Sequence, residues 1–203
     1  MSNRVSIRHV TQRYAGPLGH EPLAVELFNT RYADARQEID GLGSDASARA
    51  WLAALSDRLP PGGSGRLPTR TALVDLRDPV RDALRAALAG TTPSRSSLEL
   101  INRASAGAPR SPVAEWRRGE PPVAGVDLHG ANRAAVVMAG FATSAIELLT
   151  GPDRDALRAC GAPGCVLLFI KDHPRREWCS AACGNRARQA RYYARMRGRR
   201  PRR

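Results

Sequence analysis

The chain has 203 residues, 42% apolar and 5% aromatic, with 32 basic against 19 acidic side chains and a formal charge of +13. That length admits one domain of ordinary size with a small appendage, and that apolar fraction excludes wholesale disorder. The charge is unevenly placed, because residues 160–203 hold 12 basic and 2 acidic residues, a net of +10, while the first 159 carry +3.

A single lysine, Lys171, beside 31 arginines fits coding bias, so arginine abundance alone identifies nothing. Its concentration does. Residues 186–203 contain nine arginines and no acid, a density that repels itself and needs solvent or a polyanion around it, which makes nucleic acid the leading partner.

In chain order, residues 1–18 lack clear periodicity, Gly16-Pro17-Leu18-Gly19 reads as a loop, and an N-terminal arm is expected over 1–20. Met1-Ser-Asn-Arg-Val has no basic region followed by an apolar run, so a cytoplasmic location is expected. After Pro22, the run from Leu23 to Thr30 predicts a helix packed on more than one face, leaving Asn29 nearly buried, where it satisfies a neighbouring helix end or loop carbonyl in preference to contacting a ligand. A second helix is predicted from an N-cap at Ser44 or Asp45 through Trp51, Leu52 and Leu55, closed by the loop from Pro60 to Gly65.

Thr69 caps a third helix, in which Asp78-Pro79 gives either a kink or a fresh N-cap. Beyond it Val80, Ala83, Leu84, Ala87 and Leu88 keep helical spacing, and Gly90 supplies the stop. A short helix is predicted over Ser94 to Arg103, and two short strands or a hairpin within Gly107 to Gly125. The most apolar stretch, Ala131 to Thr150, reads as a buried core helix ended by Gly151-Pro152, since it falls short of the roughly 20 apolar residues of a membrane span. Leu27, Phe28, Trp51, Leu84, Leu88, Phe141 and Ile146 are the expected core.

All four cysteines lie near the C-terminus as C-x4-C-x13-C-x3-C, at Cys160, Cys165, Cys179 and Cys183. Two close pairs joined by a short bridge form the pattern of a four-thiolate site for one structural Zn2+. Gly161, Pro163 and Gly164 shape a turn whose amides point at the sulfurs, while Cys179 and Cys183 span the start of a helix capped by Ser180. Val166 to Ile170 between the pairs is a natural strand. Turn, strand, loop and helix together resemble a treble-clef or ribbon-like finger. Arg158, Arg186 and the helix amides are expected to offset the net charge of four thiolates around one zinc, and His173 is expected to be a loop residue.

Trp178-Cys179-Ser180 and Cys183-Gly184-Asn185-Arg186 are similar to the CGNR zinc-finger family, and Leu23 to Thr30 with Trp51-Leu52 resembles its companion ABATE domain. The resemblance covers about Leu23 to Arg197. It implies a bacterial transcription regulator with a mostly helical N-terminal domain and a finger that binds DNA. Glu177 departs from the family pattern by standing between Arg175-Arg176 and the Trp-Cys, which leaves any contact by that short loop open.

The expected architecture is therefore mainly α: an arm over 1–20, a multihelical domain with a small β-hairpin over 21–151, a zinc finger with a basic helix over 152–198, and a basic tail over 199–203. If the finger helix runs from Ala181 to about Arg197, Arg188, Arg191 and Arg195 fall within about 60° of one another and form a stripe. Arg186 and Arg197 lie on another side, and Asn185, Gln189, Tyr192 and Met196 make a third face that packs on the body or faces base edges. Gly184 and Asn185 are read as support for the zinc, while Arg186 divides between that role and phosphate contact. The expected nucleic-acid contacts are Arg186, Arg188, Arg191, Arg195, Arg197, Arg199 and Arg200, and double-stranded DNA is the expected partner. The helical domain would dimerise, sense a small-molecule ligand, or both. A nuclease would have only His173 and Asn185 to work with, so no enzyme is expected; an RNA- or ribosome-associated binder, or an interaction module with a purely structural zinc, is the alternative.

Overall fold

The computed structural model describes residues 16–17, 20–33 and 37–198, to which all structural statements here refer. Most of the expected N-terminal arm, and Arg199 and Arg200 with the rest of the tail, lie outside the described residues.

The apolar stretch that opens with Arg133 becomes the central helix, because a side-chain set this apolar on nearly every face must be enclosed. This helix, α5 (Arg133–Thr150), is capped by the Asn132 side chain, which accepts from the Ala135 N–H at 2.9 Å. It packs against α1 (Leu23–Phe28), α3 (Arg70–Ala89) and α4 (Arg95–Ala106), burying Val137, Phe141, Ala142, Ala145 and Leu148. Length and composition alone would allow α5 to cross a membrane, but those five side chains line the core shared with its neighbours.

Capping sets the other helix starts where the sequence places them. Ser44 and Ser47 exchange side-chain and backbone hydrogen bonds at the start of α2 (Asp45–Ala54), Thr69 caps α3 through the Ala72 N–H, and Ser94 caps α4 through the Ser97 N–H. Gly90 ends α3 in the left-handed conformation. Pro79 lies inside α3 without ending it, so Asp78 is a helical residue and not a new cap. Trp51 of α2 stacks on Phe141 with ring centroids 5.3 Å apart, fixing α2 against the central helix.

Leu88 corrects the expected core. It is 37% exposed, because the last turn of α3 runs past the body before Gly90. Ile146 is partly buried against the core, and the remaining expected core residues are buried.

Sheet is confined to three separate antiparallel pairs: β1 (Arg31–Ala33) with β2 (Glu38–Asp40), β3 (Ser111–Glu115) with β4 (Val123–Asp127), and β5 (Leu157–Ala159) with β6 (Leu168–Ile170). The expected hairpin is β3–β4, and its Val113, Trp116, Val123 and Val126 face solvent. The β5–β6 pair matters most for function, since Leu157, Leu168 and Ile170 join the same apolar core as Leu27, Leu84 and Phe141. The hairpin that carries the first cysteines is thus continuous with the helical body.

Candidate functional site

Cys160 follows directly on β5, and Cys165 closes a turn in which Gly164 has φ +71°, a conformation that favours glycine. The Cys165 N–H donates to the Ala162 carbonyl at 3.0 Å and the Cys160 N–H to the Leu167 carbonyl at 2.9 Å, so the backbone itself sets the spacing of this pair. Cys183 sits in the first turn of α6 (Ala181–Gly198), where its N–H donates to the Ser180 hydroxyl at 3.2 Å. Cys179 lies just before the cap. The positive end of the helix therefore faces the sulfurs.

The four sulfur atoms all lie within 4.8 Å of one another. Three of the separations are 3.5, 3.7 and 3.8 Å, close to the edge of about 3.8 Å of a tetrahedron whose centre stands about 2.3 Å from each sulfur, the zinc–thiolate distance. None of the cysteines forms a disulfide. Thiol bonds from Cys179 pull Cys165 down to about 5, while Cys179, bonded to Cys165, is pushed far up, and burial pushes Cys160 up. Without a cation the cluster thus holds a thiolate readily at Cys165 and resists one at Cys160 and Cys179; a divalent cation at its centre removes that conflict. The donor set fits one structural Zn2+.

The surroundings suit a negatively charged centre. Backbone N–H groups of Cys179 and Ala162 point at the Cys160 sulfur, and that of Leu167 at Cys165. The Arg186 guanidinium donates to the Cys183 sulfur at 3.2 Å, so this residue is turned toward the metal site. Arg158 does not share that role: its guanidinium donates instead to the carbonyls of Asp155, in the turn before β5, and of Leu157. His173 is exposed and accepts the Arg175 N–H at Nδ1, as a loop residue would. Among the described residues no other group of three or more histidine, cysteine or acidic side chains converges as a metal site.

A second set of contacts ties this finger to the body. Asn29, buried at the end of α1, donates through Nδ2 to the Leu168 carbonyl at 3.0 Å and accepts the Leu168 N–H at 2.9 Å. Glu21 accepts the Ile170 N–H at 2.8 Å and is paired with Arg176. Burial holds the Glu21 carboxyl above its ordinary range in spite of the Ile170 N–H and Arg176. Arg176 also donates to the Ile170 carbonyl at 3.0 Å and lies over the Phe169 ring. The basic pair before Trp178 is thus partly spent inside the fold, and Glu177 stands 3.9 Å from Arg191. Sequence reasoning missed Glu21 and Arg176 as a clamp, because their separation of 155 residues leaves no local signal.

Helix α6 divides into two halves. Cys183, Gly184 and Ala187 are buried, whereas residues 191–197 are exposed all round. A side-chain carbon on Gly184 would stand 3.3 Å from the Trp178 ring, so glycine lets the helix approach closely. Arg188 and Arg191 lie 5.9 and 5.5 Å from that same ring, and Arg188 bonds Asn185 at 2.5 Å. Tyr192 and Met196 are 52 and 48% exposed, and Asn185 and Gln189 are exposed too, so the third face does not pack on the described body.

A helical body whose core runs on into a hairpin and helix holding four cysteines defines a zinc-finger protein. The chain belongs to the ABATE family, described as "Putative stress-induced transcription regulator", whose model matches residues 21–152, and residues 156–196 match the CGNR zinc finger. No curated protein matches the chain.

Proposed function

We propose that the protein is a zinc-dependent, DNA-binding transcription regulator acting in the cytoplasm on the nucleoid, with the finger helix and tail as its contact surface and no catalytic role. The observation that carries this reading is the projecting half of α6, where Arg191, Arg195 and Arg197 are exposed on a helix fixed at its other end by the cysteine cluster. A rigid, solvated, cationic rod is suited to phosphate contact and to lying in a groove. Arg188, Arg191, Arg195 and Arg197, continued by Arg199 and Arg200, supply the charge. Arg186 serves the metal site, and through it the position of the rod. The helical body would supply dimerisation or ligand sensing.

The test is fluorescence anisotropy with duplex DNA and a matched RNA, using the zinc-loaded protein and the same protein after chelation. Tighter retention of the duplex, lost on chelation, supports the reading. Preference for the RNA would favour the RNA-associated alternative, for which the exposed Tyr192 and Tyr193 offer stacking surfaces.

A further inference from the structure

The β3–β4 hairpin is rooted on α5 through Ala108 and Leu128, which flank the two strands and join one small apolar cluster with Val136 and Ala139. Beyond that root the strands pack chiefly on each other, and four of the five residues in each are exposed. A two-stranded ribbon alone in water is marginally stable, and three or more strands are needed for independent stability.

The proline in β3 decides which backbone groups are already used. Pro112 pairs with Val126 and has no N–H, so the bonded pairs of the ladder are Ser111–Asp127, Val113–Gly125 and Glu115–Val123. The N–H and carbonyl groups of Ala124 and Val126 therefore turn outward, along the free edge of β4. Pro112 interrupts the outer edge of β3, a usual means of blunting an edge, whereas β4 carries neither proline nor charge from Val123 to Val126. Pro112, Ala114, Ala124 and Val126 also share one face, apolar throughout and exposed.

Charge selects what covers this edge. Residues 110–127 hold Arg110, Arg117 and Arg118 against Glu115, Glu120 and Asp127, a net of zero on a chain of +13. A polyanion or an anionic lipid surface gains nothing there, whereas two copies of a basic protein meet with least repulsion at such a neutral patch. The edge is also self-complementary. Antiparallel pairing of β4 with β4 of a second copy about Gly125 sets Ala124 opposite Val126, so that each donates to the other and accepts from it.

We propose that two copies of the chain associate by this pairing, joining their hairpins into one four-stranded antiparallel sheet in the order β3–β4–β4–β3. The inference rests on the dimerisation proposed above for the body and supplies its surface; DNA binding plays no part in it.

Sedimentation velocity of the zinc-loaded full chain, free of nucleic acid, tests the pairing over a range of protein concentrations. A monomer–dimer equilibrium is expected. Ala124→Pro removes an outward N–H and leaves the hairpin's own ladder intact; because the two-fold counts the lost bond twice, the dissociation constant should rise about tenfold or more. Ala114→Pro makes the same change on the outer edge of β3 and should leave association at the parental level. Val126→Lys, at a position 51% exposed, sets a cation on each side of the axis without altering the backbone and should weaken association as Ala124→Pro does. Circular dichroism and zinc content should match the parent in all three variants. A chain that stays monomeric at every concentration, parental association in either Ala124→Pro or Val126→Lys, or an equal loss in Ala114→Pro overturns the proposal. A dimer whose variants behave as expected but which binds no DNA leaves the pairing standing and removes only the regulator reading.

Discussion

Replacing Asn29 by alanine should loosen the joint between body and finger more than any other single polar truncation. Its side chain satisfies both the N–H and the carbonyl of Leu168, which is 3% exposed and has no water to turn to. Each stranded buried group costs about 1–3 kcal/mol, so the pair should cost about 2–6 kcal/mol. For a chain of this size that corresponds to a fall in melting temperature of roughly 4–24 °C. Urea denaturation of the zinc-loaded protein, followed by far-ultraviolet circular dichroism and tryptophan fluorescence, measures it. Asn29→Asp separates the two bonds: it keeps an acceptor for the Leu168 N–H but sets a carboxylate against the Leu168 carbonyl, and should be at least as destabilising as alanine. Zinc content should stay at one ion, since the side-chain bonds of Asn29 go to the Leu168 backbone and to none of the sulfurs. A loss below about 0.5 kcal/mol, the scatter of ordinary surface changes, would refute the idea that this contact clamps the finger.

Cys183→Ser should lose zinc by elemental analysis and, because Leu157, Leu168 and Ile170 belong to the body core, should lower the stability of the whole chain in one transition. Two well-separated transitions, with an unaltered body, would contradict that shared core. Asp40 gives a pH test: burial alone would raise its carboxyl, but the Arg77 bonds, the Leu42 N–H and the charges of Arg77 and Arg31 together hold it below 3.8. A carboxyl lowered in the folded state contributes stability that is present above its unfolded value and lost as pH falls through its folded value. Asp40→Asn should therefore narrow its stability gap from the parent as pH falls below about 4, read by urea midpoints of both proteins; a constant gap would contradict the assignment.

Helix starts and the metal ligands were legible because their signals are local. Ser44, Thr69 and Ser94 each stand one residue before a helix, and the spacing of Cys160, Cys165, Cys179 and Cys183 carries its own chemistry. Leu88 keeps helical spacing with Leu84, yet periodicity cannot say how far a helix outruns its neighbours, and so it was misplaced. The β1–β2 pair went unseen since Arg31–Ala33 and Glu38–Asp40 are short and charged, and what fixes them is Arg77, 37 residues beyond Asp40. Asn29 was expected to be buried and bonded, but its partner Leu168 lies 139 residues away. Arg186 could not be divided between sulfur and phosphate until its 3.2 Å approach to Cys183 was seen.

The central claim, that the projecting finger helix carries nucleic-acid affinity, is tested most directly by the salt dependence of duplex-DNA binding with Arg188, Arg191 and Arg195 all replaced by alanine. Alanine is the best helix former, and none of the three touches the sulfurs, so zinc and helix should both remain. Each lost phosphate contact removes about 0.9 from the log–log slope, so the variant should bind more weakly and show a slope shallower by up to about 3. A variant that keeps its zinc, its fold, its DNA affinity and an unchanged slope would contradict the claim and leave the stripe a solvated face on a structural finger.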